Sequence, residues 1–340
     1  MKKASSQEEM MEQVQKILEE RGRKALEIAR KTVLEEEIEC REVREALEYF
    51  MNEYWQDTAR PALLSLACEA VGGDPDITTS IAIPMTLISG AIDIHDDIID
   101  QSKSKWSRPT VYGKFGKNVA LLVGDALLFK GLTLLHKSVK KGIPTEKIVV
   151  ISDIIKKTFF ELGDAEAIEL QFRERTDILS EEYLRIVRKK AADVEAHTRI
   201  SSILGNGTQK EIEALSAYGR LLGMMMILND DLADMLDFDE FVNRIKNEHL
   251  PLQVIYALEK SRDKREINLI LRKKKKTKSD VKKILNFTNK AEGPVFVAEK
   301  MKSIADEAIY HSQGIKYNKQ YFKLLVETLL PSVMESREGG

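Results

Sequence analysis

The sequence predicts an all-α protein, a single-domain helical bundle, on three observations. Only 8 prolines and 18 glycines punctuate the 340 residues. Nearly every long segment repeats its apolar residues at helical spacing, and no alternating β-branched run of strand type occurs. No low-complexity linker or repeat of solenoid period divides the chain. At 43% hydrophobic and 32% charged residues, the chain can bury a large core.

Residues 7–36 read as a long amphipathic helix with Met11, Val14, Ile17, Leu18, Ala25, Ile28 and Val33 on its apolar side. Residues 1–36 are expected to be part of the fold, with 37–340 as the main body of the domain. Helices are expected next at 41–53, 60–71, 77–99, 118–140, 144–173, 180–204 and 209–234. The series closes with 250–260, 263–273, 278–287, 294–315 and 319–330. The breaks fall at Gly72-Gly73-Asp74-Pro75, Gly142-Ile143-Pro144 and Gly205-Asn206-Gly207. The basic run Arg272-Lys273-Lys274-Lys275-Lys276 reads as a solvated junction between helices, with a polyanion or membrane-surface site as the alternative.

The net charge of -2 and pI near 6.3 give no general affinity for nucleic acid. Cys40 and Cys68 stand in no metal-binding spacing and read as reduced core residues. The N-terminus, MKKASSQEEMMEQ, lacks an apolar signal core. The longest continuous apolar stretch, 81–92, contains Pro84 and is too short to span a bilayer. A cytoplasmic protein is expected.

Two acidic clusters carry the chemistry: Asp96-Asp97-Ile98-Ile99-Asp100 and Asp230-Asp231-Leu232-Ala233-Asp234. Both have the form DDxxD. On a helix, residues four apart share a face, so Asp96 and Asp100 point together, as do Asp230 and Asp234. Asp93 and Asp237 are expected to extend the two stripes. One such cluster could be a solvated acidic face. Two, each ending an apolar helix, need compensating cations. Carboxylate oxygens are hard ligands that suit Mg²⁺, which keeps waters and shares its shell with a phosphate-bearing substrate.

With these clusters in place, the chain resembles the trans-prenyl diphosphate synthases, the polyprenyl synthetase family, and within it the archaeal and bacterial geranylgeranyl and farnesyl diphosphate synthases. Matching segments are Arg60-Pro61, Glu69-Ala70-Val71-Gly72-Gly73, His95 with the first cluster, and Pro109-Thr110-Val111. Gly124-Asp125-Ala126-Leu127-Leu128, Lys190-Ala191-Ala192 and the second cluster complete the set. The resemblance implies an isoprenoid-synthase bundle around a deep central cavity, with the two clusters facing each other and usually a homodimer. It implies three Mg²⁺ ions on Asp96, Asp97, Asp100, Asp230, Asp231 and Asp234, ionisation of an allylic prenyl diphosphate, and attack by isopentenyl diphosphate. Lys190 matches the family lysine on the allylic diphosphate; otherwise it is surface charge in Arg188-Lys189-Lys190. Ala91 and Ile92 fall where the family builds its cavity floor. Ser89, Gly90 and Ala91 are small, so a tunnel for a long chain is expected there.

The acceptor pocket departs from the family pattern. Arg60 matches the arginine before a proline, but the lysine three places earlier falls on Asp57. The family histidine falls on Ser89, the arginine pair on Lys105-Trp106, and the Phe-Gln of the second cluster's helix on Met226-Ile227. An aspartate at a diphosphate contact repels it by a few kcal/mol at an effective dielectric of about 20. Lys103, Lys105, Arg108, Lys114 and Lys117 are the nearby substitutes. Three functions fit: a chain-elongating prenyltransferase, a class I terpene synthase of the same ancestry that needs no isopentenyl diphosphate, and a non-catalytic subunit of a heteromeric synthase.

Overall fold

The computed structural model describes residues 2–105 and 107–331, with side chains from residue 7 onward. Trp106 therefore lies outside the described residues. The helices are α1 (Lys2–Leu34), α2 (Arg41–Tyr49), α3 (Ala59–Ala70), α4 (Thr79–Ile99), α5 (Val111–Lys137), α6 (Thr145–Leu170), α7 (Ser180–Lys190) and α8 (Ala192–Leu204). They continue as α9 (Gln209–Asp234), α10 (Phe238–Asn247), α11 (Leu252–Lys260), α12 (Lys264–Leu271), α13 (Lys278–Lys290), α14 (Gly293–Ser312) and α15 (Lys319–Glu327). Among the described residues the β-structure is one antiparallel pair, β1 (Ser104–Lys105) with β2 (Arg108–Pro109). The all-α class is as the sequence predicts.

The differences are local. The helix expected over 41–53 leaves α geometry at Tyr49 and runs on as a π-helical turn, Phe50–Tyr54. The segment 180–204 is two helices, because Ala191 interrupts it. α5 starts at Val111, where the Thr110 hydroxyl accepts from the Gly113 N–H (2.9 Å), and it breaks at Gly116 (φ 81°). α10 has no counterpart in the sequence reading. Asp237, expected to extend the second acidic stripe, instead caps α10 by accepting from the N–H groups of Asp239 (2.8 Å) and Glu240 (3.1 Å).

The chain packs as two compact units. The first comprises residues 1–157, 196–216 and 312–324; the second comprises 158–195, 217–311 and 325–340.

In the first unit α4 is the core helix. It is apolar all round over 81–91, and Ile81, Leu87 and Ala91 are completely buried. α5 packs along it, and α1 lies across α3 and α4. The α1–α3 approach requires Gly22, where a Cβ would sit 2.1 Å from the Thr58 carbonyl oxygen. On the apolar side of α1, Ala25 and Val33 are buried as expected, whereas Met11 is exposed. Cys68 is buried, but Cys40, which precedes α2, is exposed and not a core residue. Residues 75–99 and 111–141 form helices long and apolar enough to cross a membrane. This corrects the inference from the short run 81–92, because helical stretches extend past it on both sides. The first is 72% buried in its apolar window and the second only 33%. α4 is thus a core helix, while α5 turns Leu121, Leu122 and Phe129 outward.

In the second unit α11 packs against α7, α12 and α13, with Leu252, Val254 and Ala257 fully buried. Tyr256 stacks on Phe296 with ring centroids 4.0 Å apart.

Candidate active site

The first acidic cluster ends α4, at the negative pole of the helix dipole, where carboxylates are disfavoured. The chain reverses immediately. Gln101 takes a left-handed conformation (φ 54°), Ser102 N–H donates to the Asp97 carbonyl (2.9 Å), and Gln101 N–H to that of Ile98 (3.4 Å). This Schellman closure sends the chain into β1. The hairpin then returns Lys105 to the cluster, with Nζ 2.8 Å from Asp97 Oδ1 and 3.6 Å from Asp96 Oδ2. Asp97 and Asp100 are buried. Burial pushes the Asp97 carboxyl up to about 7, against the pull of Lys105. Burial also works against the Lys105 charge, but Asp97 and Asp96 outweigh it and hold the ammonium well above its ordinary range.

Asp93 lies one turn earlier. Its Oδ2 accepts from Trp55 Nε1 (2.8 Å), and its Oδ1 is 3.4 Å from Arg60. Asp57 also binds Arg60 (2.7 Å) and caps α3 by accepting from Ala59 N–H (2.8 Å). The charge reversal at Asp57 therefore has a local use: it fixes Arg60 and starts a helix. Phe50 and Trp55 stack at 5.3 Å against Gly90, where a Cβ would meet the Phe50 ring at 3.0 Å. The space that Gly90 leaves is filled by these rings, so it does not widen the expected tunnel. Ala91 is buried, Ile92 half-buried, and the buried Ser89 hydroxyl has no hydrogen-bond partner. His95 ion-pairs with Asp125 (3.3 Å) and rests on Gly124, where a Cβ would lie 2.6 Å from its ring. Arg108 is exposed and donates to the Glu53 carbonyl (3.3 Å). Lys114 sits 3.6 Å above the Tyr49 ring.

The second cluster ends α9 in the second unit. Asp230 is exposed, Asp231 buried and Asp234 half-buried, with Met226 half-buried one turn earlier. Asp231 accepts from the Tyr183 hydroxyl (2.6 Å). Arg244 of α10 reaches back to Asp231 Oδ1 (2.6 Å), Asp234 Oδ2 (2.8 Å) and Glu248 (3.5 Å). The Arg244 side chain is 7% exposed, yet Asp231, Glu248 and Asp234 outweigh burial and hold its charge. Lys190, the expected diphosphate contact, lies between Glu166 (2.9 Å) and Glu169 (2.7 Å). His249 pairs with the other oxygen of Glu169, and its second nitrogen lies 3.0 Å from the Leu250 carbonyl. Burial disfavours charge on both Glu169 and His249. For Glu169 the cations Lys190 and His249 win and drive the carboxyl well down; for His249 the Glu169 carboxylate wins and drives the imidazole up. Asp97, with one half-exposed lysine, goes the other way.

The donor set fits magnesium. Asp97 Oδ1 and Asp231 Oδ1 are both buried and, apart from their ion pairs, make no hydrogen bond. In the second unit Lys190, Arg244 and His249 face Glu166, Glu169, Asp231, Asp234 and Glu248. Among the described residues no three acidic, imidazole or thiol groups already converge as a metal cage.

The sequence analysis missed Arg244, Tyr183, His249, Glu169 and Trp55. Arg244 and His249 sit at or near α10, whose pattern is short and mostly polar. The one available signal was that a buried acid cluster must have an internal cation within reach.

A helical protein with two aspartate clusters, each at a helix end, is the class that fold and site define. The model of the polyprenyl synthetase family matches residues 41–288, and the chain belongs to that family. It is 33% identical over 217 residues to a short chain isoprenyl diphosphate synthase of Methanothermobacter thermautotrophicus, covering 62% of this chain and 66% of that protein. It is 32% identical over 207 residues to a geranylgeranyl diphosphate synthase of Methanosarcina mazei, covering 59% and 63%. The matched stretch thus spans just under two thirds of these relatives. The crystal structure of geranylgeranyl pyrophosphate synthetase from Pyrococcus horikoshii superposes with a TM-score of 0.83 at 26% identity, over 94% of this chain and 98% of that one.

Two outcomes follow from the internal cations. Arg244→Ala leaves Asp231 buried and unpaired, and should cost about 3–5 kcal/mol in chemical denaturation without metal. Arg244→Lys should recover part of the loss; full stability in Arg244→Ala would show that the pair is not a structural contact. Asp97 in the folded state titrates at about 7, above its ordinary 3.8. Its stabilising contribution is complete below the unfolded value and is lost as pH rises through the folded one. In EDTA, the stability of wild type relative to Asp97→Asn should therefore fall between about pH 4 and about pH 7. A difference flat across that window would mean an Asp97 ionised throughout.

Proposed function

We propose that the chain is a prenyltransferase. It ionises an allylic prenyl diphosphate and joins the cation to isopentenyl diphosphate, giving a prenyl diphosphate one C5 unit longer. The observation that carries this reading is the pair of buried carboxylates, Asp97 and Asp231, each held at its Oδ1 by a cation and each within a DDxxD cluster of a polyprenyl synthetase family member. Magnesium, with three ions expected per site, would be held by Asp96, Asp97, Asp100, Asp230, Asp231 and Asp234 and would supply Lewis-acid stabilisation of the leaving group. Lys190, aimed by Glu166 and Glu169, offers an ammonium to the departing diphosphate. The allylic C–O bond breaks with its electron pair leaving on pyrophosphate. The acceptor's double bond then forms the new C–C bond, and a proton is lost.

A second reading, ionisation without isopentenyl diphosphate as in a terpene synthase, is favoured by one observation. Arg60, the surviving residue of the acceptor pattern, is tied to Asp57 and Asp93. The chain is also proposed to self-associate. Leu122 and Phe129 on α5 are 56% and 68% exposed, beside Leu121 on the same helix. An apolar face of this kind marks an interface.

Asp96→Ala or Asp230→Ala should lower turnover at least ~100-fold, with little change in fold stability, since each removes charge stabilisation of the leaving group. Near-normal activity of either variant at saturating Mg²⁺ would sink the mechanism. Product analysis with an allylic diphosphate, with and without isopentenyl diphosphate, separates the two readings. Longer diphosphates only when both are present support the transferase; cyclic or hydroxylated products without the acceptor support the terpene synthase. In sedimentation velocity, Leu122→Glu with Phe129→Glu should convert a dimer to monomer. An unchanged sedimentation coefficient would exclude this face as the contact.

A further inference from the structure

The basic run between α12 and α13 is a junction, as the sequence suggests, but it also lines a cavity in the second unit. The cavity has a volume of about 500 Å³, within the usual size of small-ligand sites. Three segments build its walls: 172–176, the end of α10 through Leu250, and 271–276. They bring Arg175, Lys246, Arg272, Lys273, Lys274 and Lys276 to one space, against Glu174 and Glu248. Phe172, Ile245, Leu250 and Leu271 add apolar lining, beside His249.

The chain holds this basic wall in place. Lys273 is tied to Asp280, and Asp280 accepts from Thr277 N–H (3.0 Å) in a capping box that starts α13. Lys276 donates to the Lys273 carbonyl (3.1 Å), and burial lowers its ammonium below the ordinary range. On the opposite wall Arg175 lies over the Phe172 ring (5.5 Å) and binds Asp177 (2.9 Å). Glu248 is taken by Asn243 (2.9 Å) and Arg244 (3.5 Å). Lys246, Arg272 and Lys274 have no carboxylate partner among the described residues. Cations that converge on a cavity repel each other unless an anion lies between them, and a solvated junction would give its lysines separate directions.

We propose that this cavity is a binding site for a small polyphosphate, with diphosphate as the minimal ligand. A single carboxylate cannot meet cations on three walls, whereas a diphosphate presents oxygens in several directions to guanidinium forks and ammonium groups. The same chemistry could come from a soluble diphosphate or from phospholipid headgroups. The concave shape and apolar lining favour the soluble molecule. The site's cations are other than Lys190 and Arg244, while Glu248 and His249 line it and also pair with Arg244 and Glu169, so the proposal is read by binding and not by turnover.

The test is calorimetry of the whole chain with inorganic pyrophosphate in EDTA, where the acidic clusters cannot take an anion through metal. Wild type should bind, the exposed-charge control Lys140→Gln with Lys141→Gln should match it, and Arg272→Gln with Lys274→Gln should bind at least ~10-fold more weakly, because charge-assisted bonds to phosphate are lost only in the last variant. Arg272 and Lys274 are both exposed, and thermal denaturation of that variant verifies its fold. Equal affinity in wild type and Arg272→Gln with Lys274→Gln, or an equal loss in Lys140→Gln with Lys141→Gln, would overturn the proposal. Sedimentation with vesicles of phosphatidylcholine and phosphatidylglycerol distinguishes the source. Vesicle binding that pyrophosphate does not displace would replace the soluble ligand with a membrane surface and overturn it as well.

Discussion

Carboxylates placed at the negative ends of two apolar helices are the constraint from which the rest of this structure follows. Asp97 and Asp231 are each buried at such an end, where both desolvation and the helix dipole oppose charge. Each unit answers with one cation brought from a short downstream segment: Lys105 on the hairpin after α4, Arg244 on α10 after α9. The sharp reversal at Gln101 and the cap at Asp237 exist in this geometry to deliver those two side chains. How far each answer succeeds depends on the number of partners. One partly exposed lysine leaves Asp97 titrating at about 7, while two cations hold Glu169 fully ionised despite its burial.

The acceptor side shows how a departure from a family pattern is absorbed. Asp57 stands where the resemblance places a lysine, and from sequence it reads as a repulsive charge. In the folded chain it caps α3 and holds Arg60, so a substitution there would also cost the helix its cap, about 1 kcal/mol. Trp55 and Phe50 fill the room that Gly90 leaves, and Trp55 donates to Asp93. Arg60, Asp57, Asp93 and Trp55 thus form one linked group in which no member can be altered alone.

Helical period made most of the fold legible, because long apolar stripes such as those of α4 and α9 admit few other readings. The spacing of the two acidic clusters likewise pointed to the ends of apolar helices, which is where α4 and α9 carry them. What escaped was short or charged. α10 is ten residues with two carboxylates and two cations, and its pattern resembles a solvated loop. The π-helical turn at Phe50–Tyr54 follows from packing around Trp55, which no local propensity signals. The partners of the buried acids, Tyr183, Arg244 and His249, lie from 18 residues beyond Asp231 to 48 before it, and only folding brings them there. The basic run 272–276 was visible as composition, but its enclosure with Arg175 and Lys246 depends on the turn at 172–176.

The tethering of Lys105 has a consequence for when the first cluster loads. It sits only a hairpin away from Asp97, so it competes for the carboxylate as a ligand at an effective concentration in the millimolar range. On the proposed function, a divalent ion would have to displace that standing competitor, and its apparent affinity would fall by a constant factor while its saturation stayed hyperbolic. A substrate that brings its own phosphate oxygens would offset the factor by adding ligands to the ion that the ammonium cannot supply. The same lysine that pairs the buried acid would thereby favour ion and diphosphate arriving together over the ion alone.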